Sequence, residues 1–192
     1  IAVGVASVVV ISTIGEYGKT TVTTELESLG LGGIMASANS QTGYTSMEEK
    51  ELEVIKKNNH VEHAMPVMML YSTLNIRKET KDTLILGVDE TADQIISLEV
   101  VHGRGFHAAD ISSNAKVCLI DQNLAKSAYS RENIVGKEIY LSVNGSYDAY
   151  TVIGIIKTGS GLLQSALGSY IPTFVYVPYS TLQQSVGETT FQ

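Results

Sequence analysis

The residues at positions 15–20 come nearest to a ligand-binding motif, because they combine two glycines with a lysine and a threonine. A phosphate-binding loop of the Walker type has four residues between its glycines and directly follows a strand. Here only Glu16 and Tyr17 separate Gly15 from Gly18. The segment therefore does not predict nucleotide binding.

Two histidines and a carboxylate lie close together at His60, Glu62 and His63, which makes a metal site worth testing. The segment lies where a predicted helix gives way to a strand. In a strand, side chains alternate between the two faces, so His60 and Glu62 would point one way and His63 the other. The spacing therefore argues against a shared metal ion.

Nucleophilic catalysis has no clear candidate either. Gly159-Ser160-Gly161 is one residue shorter than the Gly-x-Ser-x-Gly elbow of serine hydrolases, and its glycines lack the helix and the acidic partner of a dinucleotide fingerprint. Cys118 lies in the apolar run 117–120, which is typical of a small buried hydrophobic residue. We predict no catalytic residue, no cofactor and no metal site.

One arginine lies between glycines, at Gly103-Arg104-Gly105, with His102 and His107 on either side. An arginine in such a loop can bind an anion, but more often it braces the turn. We expect the second role here.

A Gly- and Ser-rich stretch at 158–168 contains three leucines, Leu162, Leu163 and Leu167. This composition predicts a loop. The leucines form a candidate contact for a partner or substrate, and the alternative is that they fold back onto the core.

Composition excludes several classes of protein. Of the 192 residues 44% are hydrophobic, enough for a substantial core, and a net charge of −7 with scattered basic residues argues against nucleic acid and against an anionic membrane surface as partners. Charged residues make up 17%, below the usual ~25%, partly because residues 1–14 carry no charge. One large domain or two small ones would fit this length.

The uncharged N-terminal run is too short to cross a bilayer, which takes about 20 residues, but it fits the end of a spanning helix. A signal-peptide core and a buried helix or strand are the alternatives. Residues 16–29 are amphipathic and stop at glycines, which predicts a stalk helix. The short apolar run 34–36 predicts a strand.

The remaining pattern alternates helices and strands. Ser46 and Glu49 form a capping-box pattern that starts a helix ending near residue 58. Asn144-Gly145 predicts a two-residue hairpin turn, and Ser180 is expected to cap the last helix. Predicted strands and helices follow at 61–88 (a hairpin), 92–98 (helix), 115–121 (strand), 122–129 (helix), 138–143 and 149–156 (strands) and 173–177 (strand). The order predicts an α+β fold in which the elements between residues 87 and 156 form an inserted subdomain.

Several segments in this order resemble the MacB-like periplasmic core domain of type VII ABC transporter permeases, and the resemblance covers nearly the whole chain. They are residues 29–34, 103–110, 117–125, 135–137, 152–155, 170–172 and 177–181. The positions that match the family pattern are Gly103, Arg104, Phe106, Asp110, Asp121, Gly136, Gly154, Pro172 and Pro178.

The resemblance implies two subdomains behind a stalk. Residues 1–33 would be the end of a transmembrane helix and the stalk. Residues 34–86 and 157–192 would form a porter-like α/β scaffold, and residues 87–156 an inserted, mostly β subdomain of the Sabre type.

The resemblance also implies a function, namely mechanotransmission. A cytoplasmic ABC ATPase, as a subunit or a domain, would drive paired extracytoplasmic domains on the outer side of the cell membrane for export or other work. It implies a second permease copy and contact with a membrane-fusion-type adaptor as further partners. The alternatives are a membrane-tethered ligand-binding or sensing domain without transport, and a small hydrolase.

Overall fold

The computed structural model describes residues 36, 47–96, 98–157 and 173–187. Their helices and strands follow one another along the chain as α1 Glu49–Lys56, β1 Met68–Ile76, β2 Glu79–Val88, α2 Ala92–Ile95, β3 Val100–Gly103, α3 Ala108–Ser112, β4 Val117–Asp121, α4 Gln122–Tyr129, β5 Glu138–Val143, β6 Ser146–Ile156, β7 Thr173–Pro178 and α5 Tyr179–Val186. The mixture of helices and strands confirms the predicted α+β class.

The seven strands of the described residues belong to one sheet, with neighbours in the order β3-β6-β4-β7-β2-β1-β5. An additional pairing between β5 and β6 closes six of these strands into a ring, and β3 lies on the edge of β6 outside it. The pairs β2–β7 and β4–β6 are parallel, while the others are antiparallel. Closure leaves six strands with a partner on each side.

Two hairpins build most of this ring. β1 and β2 pair along their whole length, from Met68 opposite Gly87 to Ile76 opposite Glu79. β5 and β6 are joined by Asn144 (φ 51°) and Gly145 (φ 79°), and a type I′ turn needs positive φ at both positions. The predicted hairpin turn is confirmed.

The ring encloses the main hydrophobic core because alternate side chains of each strand point inward. Leu74, Ile85, Ile120, Ile139 and Tyr150 are each 0% exposed there. Helices complete this core with Leu52, Leu124, Ala125, Ala128 and Leu182. A second, smaller cluster consists of Val88, Ala92, Phe106, Leu119 and Ile156.

Some predicted boundaries need correction. α1 begins at Glu49, and its N-cap residue is Glu48, whose N–H donates to Glu51 Oε2 at 2.8 Å. The capping box is therefore formed by Glu48 and Glu51, two residues after the predicted pair of Ser46 and Glu49. Ser180 does not cap α5, because its hydroxyl donates to the carbonyl of Ile111.

The loop expected around Gly103-Arg104-Gly105 contains the end of β3 at Gly103, and α3 begins shortly after it at Ala108. Both elements are short, five residues at most. Elements of this length next to glycines are not detected from the sequence pattern, because glycines there indicate a loop.

The predicted subdomains share one sheet within the described residues. β1, assigned to the scaffold, pairs with β5 of the insertion, and β7 pairs with β4 in the same way. The division at 86/87 and 156/157 stays a prediction. The predicted stalk and the strand at 34–36 lie outside the described residues, apart from Ala36, and none of the described helices is long and apolar enough to span a bilayer.

Candidate functional site

The glycine and arginine segment makes a tight crossing of two backbones. Gly103 of β3 pairs with Gly154 of β6, and Arg104 N–H donates to Ile153 O at 3.0 Å. A Cβ on Gly103, whose φ is 81°, would lie 2.1 Å from Ile153 O, and one on Gly154 would lie 2.3 Å from Arg104 O. Only glycine fits either position, because a side chain would overlap backbone atoms.

Arg104 braces the chain just after this crossing. Its guanidinium donates to both oxygens of Asp110, at 2.6 and 3.0 Å, and to Gly105 O at 2.9 Å. His107 N–H also donates to Asp110 at 2.9 Å, so the carboxylate ties the first turn of α3 to the loop. The hydrogen bond from Arg104 lowers the pKa of Asp110, against the opposing effect of burial. Arg104 therefore braces the turn, as expected from the sequence, through hydrogen bonds to Gly105 and Asp110.

Other family-pattern residues also serve local structure. Asp121 caps α4 by accepting hydrogen bonds from the N–H groups of Asn123 and Leu124, at 2.6 and 3.3 Å. Gly136 has a φ of 82° and donates to Val152 O at 2.7 Å. Phe106 is buried in the smaller cluster, and Pro178 is buried at the end of β7.

The candidate contact residues Leu162, Leu163 and Leu167 lie outside the described residues, and so does Pro172. The contact hypothesis for the leucines is therefore still a prediction.

The residues considered for chemistry lie apart. Cys118 is 0% exposed, as predicted, and burial raises the pKa of its thiol. His60 and His63 are exposed in the connection between α1 and β1. In the described part of the chain, no group of three His, Cys, Asp or Glu side chains is arranged to hold a metal ion.

A polar cleft of about 540 Å³ was not predicted from the sequence. It lies where the parallel strands β2 and β7 end, between α1, α3, α5 and the turn after β2. Its charged residues are Glu49, Lys56, Asp89 and Glu90. Asp89 and Glu90 directly follow a buried strand, which is the signal that could have pointed to a site at this edge.

Asp110→Asn is expected to lower the free energy of unfolding by about 2 kcal/mol at pH 7, since it takes the charged partner from Arg104. The folded-state pKa of Asp110 lies below the ordinary value of 3.8, so its contribution is present above that pH and is lost as the pH falls through the lowered pKa. Urea unfolding at pH 7 and pH 3 measures this. Asp82→Asn, at an exposed carboxylate, is the control, and a difference from wild type that persists unchanged at pH 3 would contradict the assignment.

Comparison with known proteins identifies the class of this fold. The family model of the MacB-like periplasmic core domain matches residues 1–192. The chain belongs to this family, and the domain is extracytoplasmic.

Two relatives illustrate the match. The macrolide export ATP-binding/permease protein MacB of Neisseria gonorrhoeae is 25% identical over 98% of this chain and 29% of its own length. The ABC transporter permease YknZ of Bacillus subtilis is 22% identical over 100% of this chain and 48% of its own length. The chain thus spans less than half the length of either relative.

Solved structures share the fold. The periplasmic region of MacB from Actinobacillus actinomycetemcomitans has a TM-score of 0.61 at 18% identity, covering 76% of this chain and 61% of that one. The extracellular domain of the transporter YknZ from Gram-positive bacteria has a TM-score of 0.62 at 21% identity, covering 76% and 70%.

Proposed function

We propose that this domain couples ATP hydrolysis by a cytoplasmic ABC ATPase to export or other work outside the membrane. The observation that carries the proposal is the family match over the whole chain, together with relatives that are ABC transporter permeases. The neisserial relatives are named for macrolide export, so macrolides are the first substrates to test.

The described fold suits this role. Six strands in a closed ring share one core with α1, α4 and α5, so a force applied at one point moves the body as a unit. We infer that the stalk predicted at residues 16–29 delivers that force. The partners would be an ATPase, a second permease copy in the membrane and an adaptor of the membrane-fusion type.

Co-purification tests the first of these partners. The full-length permease, extracted in detergent, is expected to bring an ABC ATPase with it, and the hydrolysis rate should change when residues 34–186 are deleted. Absence of an ATPase, or a rate indifferent to the deletion, would favour the sensing alternative described below.

The leucines at 162, 163 and 167 are proposed as a contact for the adaptor or the substrate. Leu163→Asp is expected to weaken adaptor binding by about tenfold, because a carboxylate in an apolar contact loses its hydration. Pull-down of the adaptor and thermal unfolding are measured together. If adaptor binding and stability were both unchanged, the contact hypothesis would be ruled out. If only stability fell, the leucine would instead pack on the core.

A second candidate function is a tethered ligand-binding or sensing domain. The cleft at the ends of β2 and β7 favours it, since such a domain needs a pocket with several polar groups. The two candidate functions differ in their partners, because the coupling function requires an ABC ATPase and the sensing function does not.

A further inference from the structure

The tip of the β5–β6 hairpin is fastened to the end of α5 by one side chain. Asn144 Nδ2 donates to the carbonyl oxygens of Ser185 and Val186, at 3.2 and 3.3 Å. Carbonyl oxygens only accept hydrogen bonds, so the amide nitrogen of Asn144 has to face them. Both carbonyls belong to the last turn of α5, where a helix leaves its acceptors without a partner of its own. Asn144 therefore caps α5 from the neighbouring hairpin.

The same asparagine precedes a glycine at an exposed turn, which is the arrangement in which an asparagine amide is most easily lost. The backbone nitrogen of the following residue can attack the side-chain carbonyl carbon, and Gly145 has no side chain to obstruct that approach. Within the described residues, Gly145 N–H donates no backbone hydrogen bond, and no atom beyond its two chain neighbours lies within 4 Å of an added Cβ. Packing therefore does not hold this nitrogen in place.

The contact with α5 restrains the reaction as long as it is made. Attack requires the side chain of Asn144 and the turn to change conformation, and the two hydrogen bonds to α5 oppose this change. Helix ends open more readily than helix centres, and the last turn of α5 contains no basic residue that could hold its carbonyls instead. Opening of the end of α5 therefore frees the amide.

We propose that Asn144 is a site of spontaneous deamidation, and that the reaction makes the release of the end of α5 permanent. The nitrogen of Gly145 loses its proton and bonds to Asn144 Cγ, the Cγ–Nδ2 bond breaks, and ammonia leaves. Water then opens the succinimide ring, which gives aspartate or isoaspartate.

Either product has a carboxylate in place of the amide. A carboxylate cannot donate to the carbonyls of Ser185 and Val186, and negative charge is unfavourable at the C-terminal end of a helix. The contact between the hairpin and α5 therefore cannot form again. This proposal is independent of ATP coupling, so failure of either proposal leaves the other intact.

Mass spectrometry of peptides tests the site after prolonged incubation of the full chain in mild detergent. Asn114 is an internal control, because it is also exposed and has a φ of 50°, against 51° for Asn144, but alanine follows it. Aspartate and isoaspartate should form at Asn144 at least about tenfold faster than at Asn114, since the Cβ of Ala115 obstructs attack. Equal rates, or no reaction at Asn144, would overturn the proposal.

Gly187→Ala tests whether the end of α5 controls the reaction. The variant places a side chain at a φ of 77° directly after α5, which strains the last turn without altering the hairpin. Deamidation of Asn144 is expected to become about threefold faster, because the end of the helix opens more often. A rate equal to that of wild type would contradict control by α5.

Asn144→Asp supplies one product directly and tests the release of α5. Hydrogen exchange of Gly187 N–H, which donates to Gln183 O at 2.8 Å, should become about tenfold faster in this variant. Asn114→Asp is the matched control, since it makes the same change of charge at an exposed turn residue, and its exchange at Gly187 should equal that of wild type. Equal exchange rates at Gly187 in the two variants would overturn the proposed release.

Discussion

Gly154→Ala is expected to lower the free energy of unfolding by about 2 to 3 kcal/mol. The new Cβ would lie 2.3 Å from Arg104 O and 2.8 Å from Leu119 Cδ2, distances that real Cβ atoms essentially never show. The leucine side chain can move. The Arg104 carbonyl oxygen cannot move alone, because it is part of the backbone held by the hydrogen bonds between Arg104 and Asp110. Relief therefore requires β3 and β6 to separate, which costs hydrogen bonds as well as packing.

Gly105→Ala is the control for this prediction. It lies in the same loop, yet none of the described residues has an atom within 4 Å of its added Cβ. Its unfolding free energy should therefore stay within about 0.5 kcal/mol of wild type. Urea unfolding compares the two variants. Equal effects would show that the close crossing of Gly103 and Gly154 does not determine stability.

Leu74→Ala and Leu141→Ala are each expected to cost about 3 kcal/mol, as large cavities in a core do. The two residues are opposite each other in the β1–β5 pairing, and both are 0% exposed. Since residues directly opposite each other on neighbouring strands have side chains close together, the double variant should depart from additivity by more than about 0.5 kcal/mol. Tyr71→Ala, at a side chain 79% exposed on the same strand, is the control and should have little effect.

The pair also tests the predicted subdomains, because Leu74 belongs to the scaffold and Leu141 to the insertion. Additive costs, measured by urea unfolding of the three variants, would mean that the two parts fold without help from this contact. A coupling energy would mean that they share one cooperative core.

Local signals predicted much of the fold. The bounds of α4 and β5 agree with the sequence pattern, since α4 has its cap at Asp121 and β5 ends at the Asn144-Gly145 turn. Hydrogen-bonding side chains and positive-φ residues act within a few positions of where they stand, which is why a sequence shows them.

The ring and the cleft could not be predicted in the same way. Closure depends on β5 pairing with both β1 and β6, and the first of these contacts joins Leu74 to Leu141 across the chain. The cleft joins Glu49 of α1 to Asp89 and Tyr179, which are far apart in sequence. The periodicity of hydrophobic residues within one segment contains no information about contacts between residues that are far apart in the sequence.

Spin labels on paired domains test the central claim most directly. Tyr71→Cys supplies an exposed labelling site, while Cys118, the single cysteine of this chain, is 0% exposed and should stay unlabelled. In the full-length permease with its ATPase, the distance between the labels of two copies should change with ATP. Thr23→Pro, which breaks the predicted stalk, should leave hydrolysis measurable and abolish the change in distance. Coupling through the stalk would be contradicted if the distance between labels did not change with ATP in the protein with Thr23. It would also be contradicted if the distance still changed with ATP in Thr23→Pro.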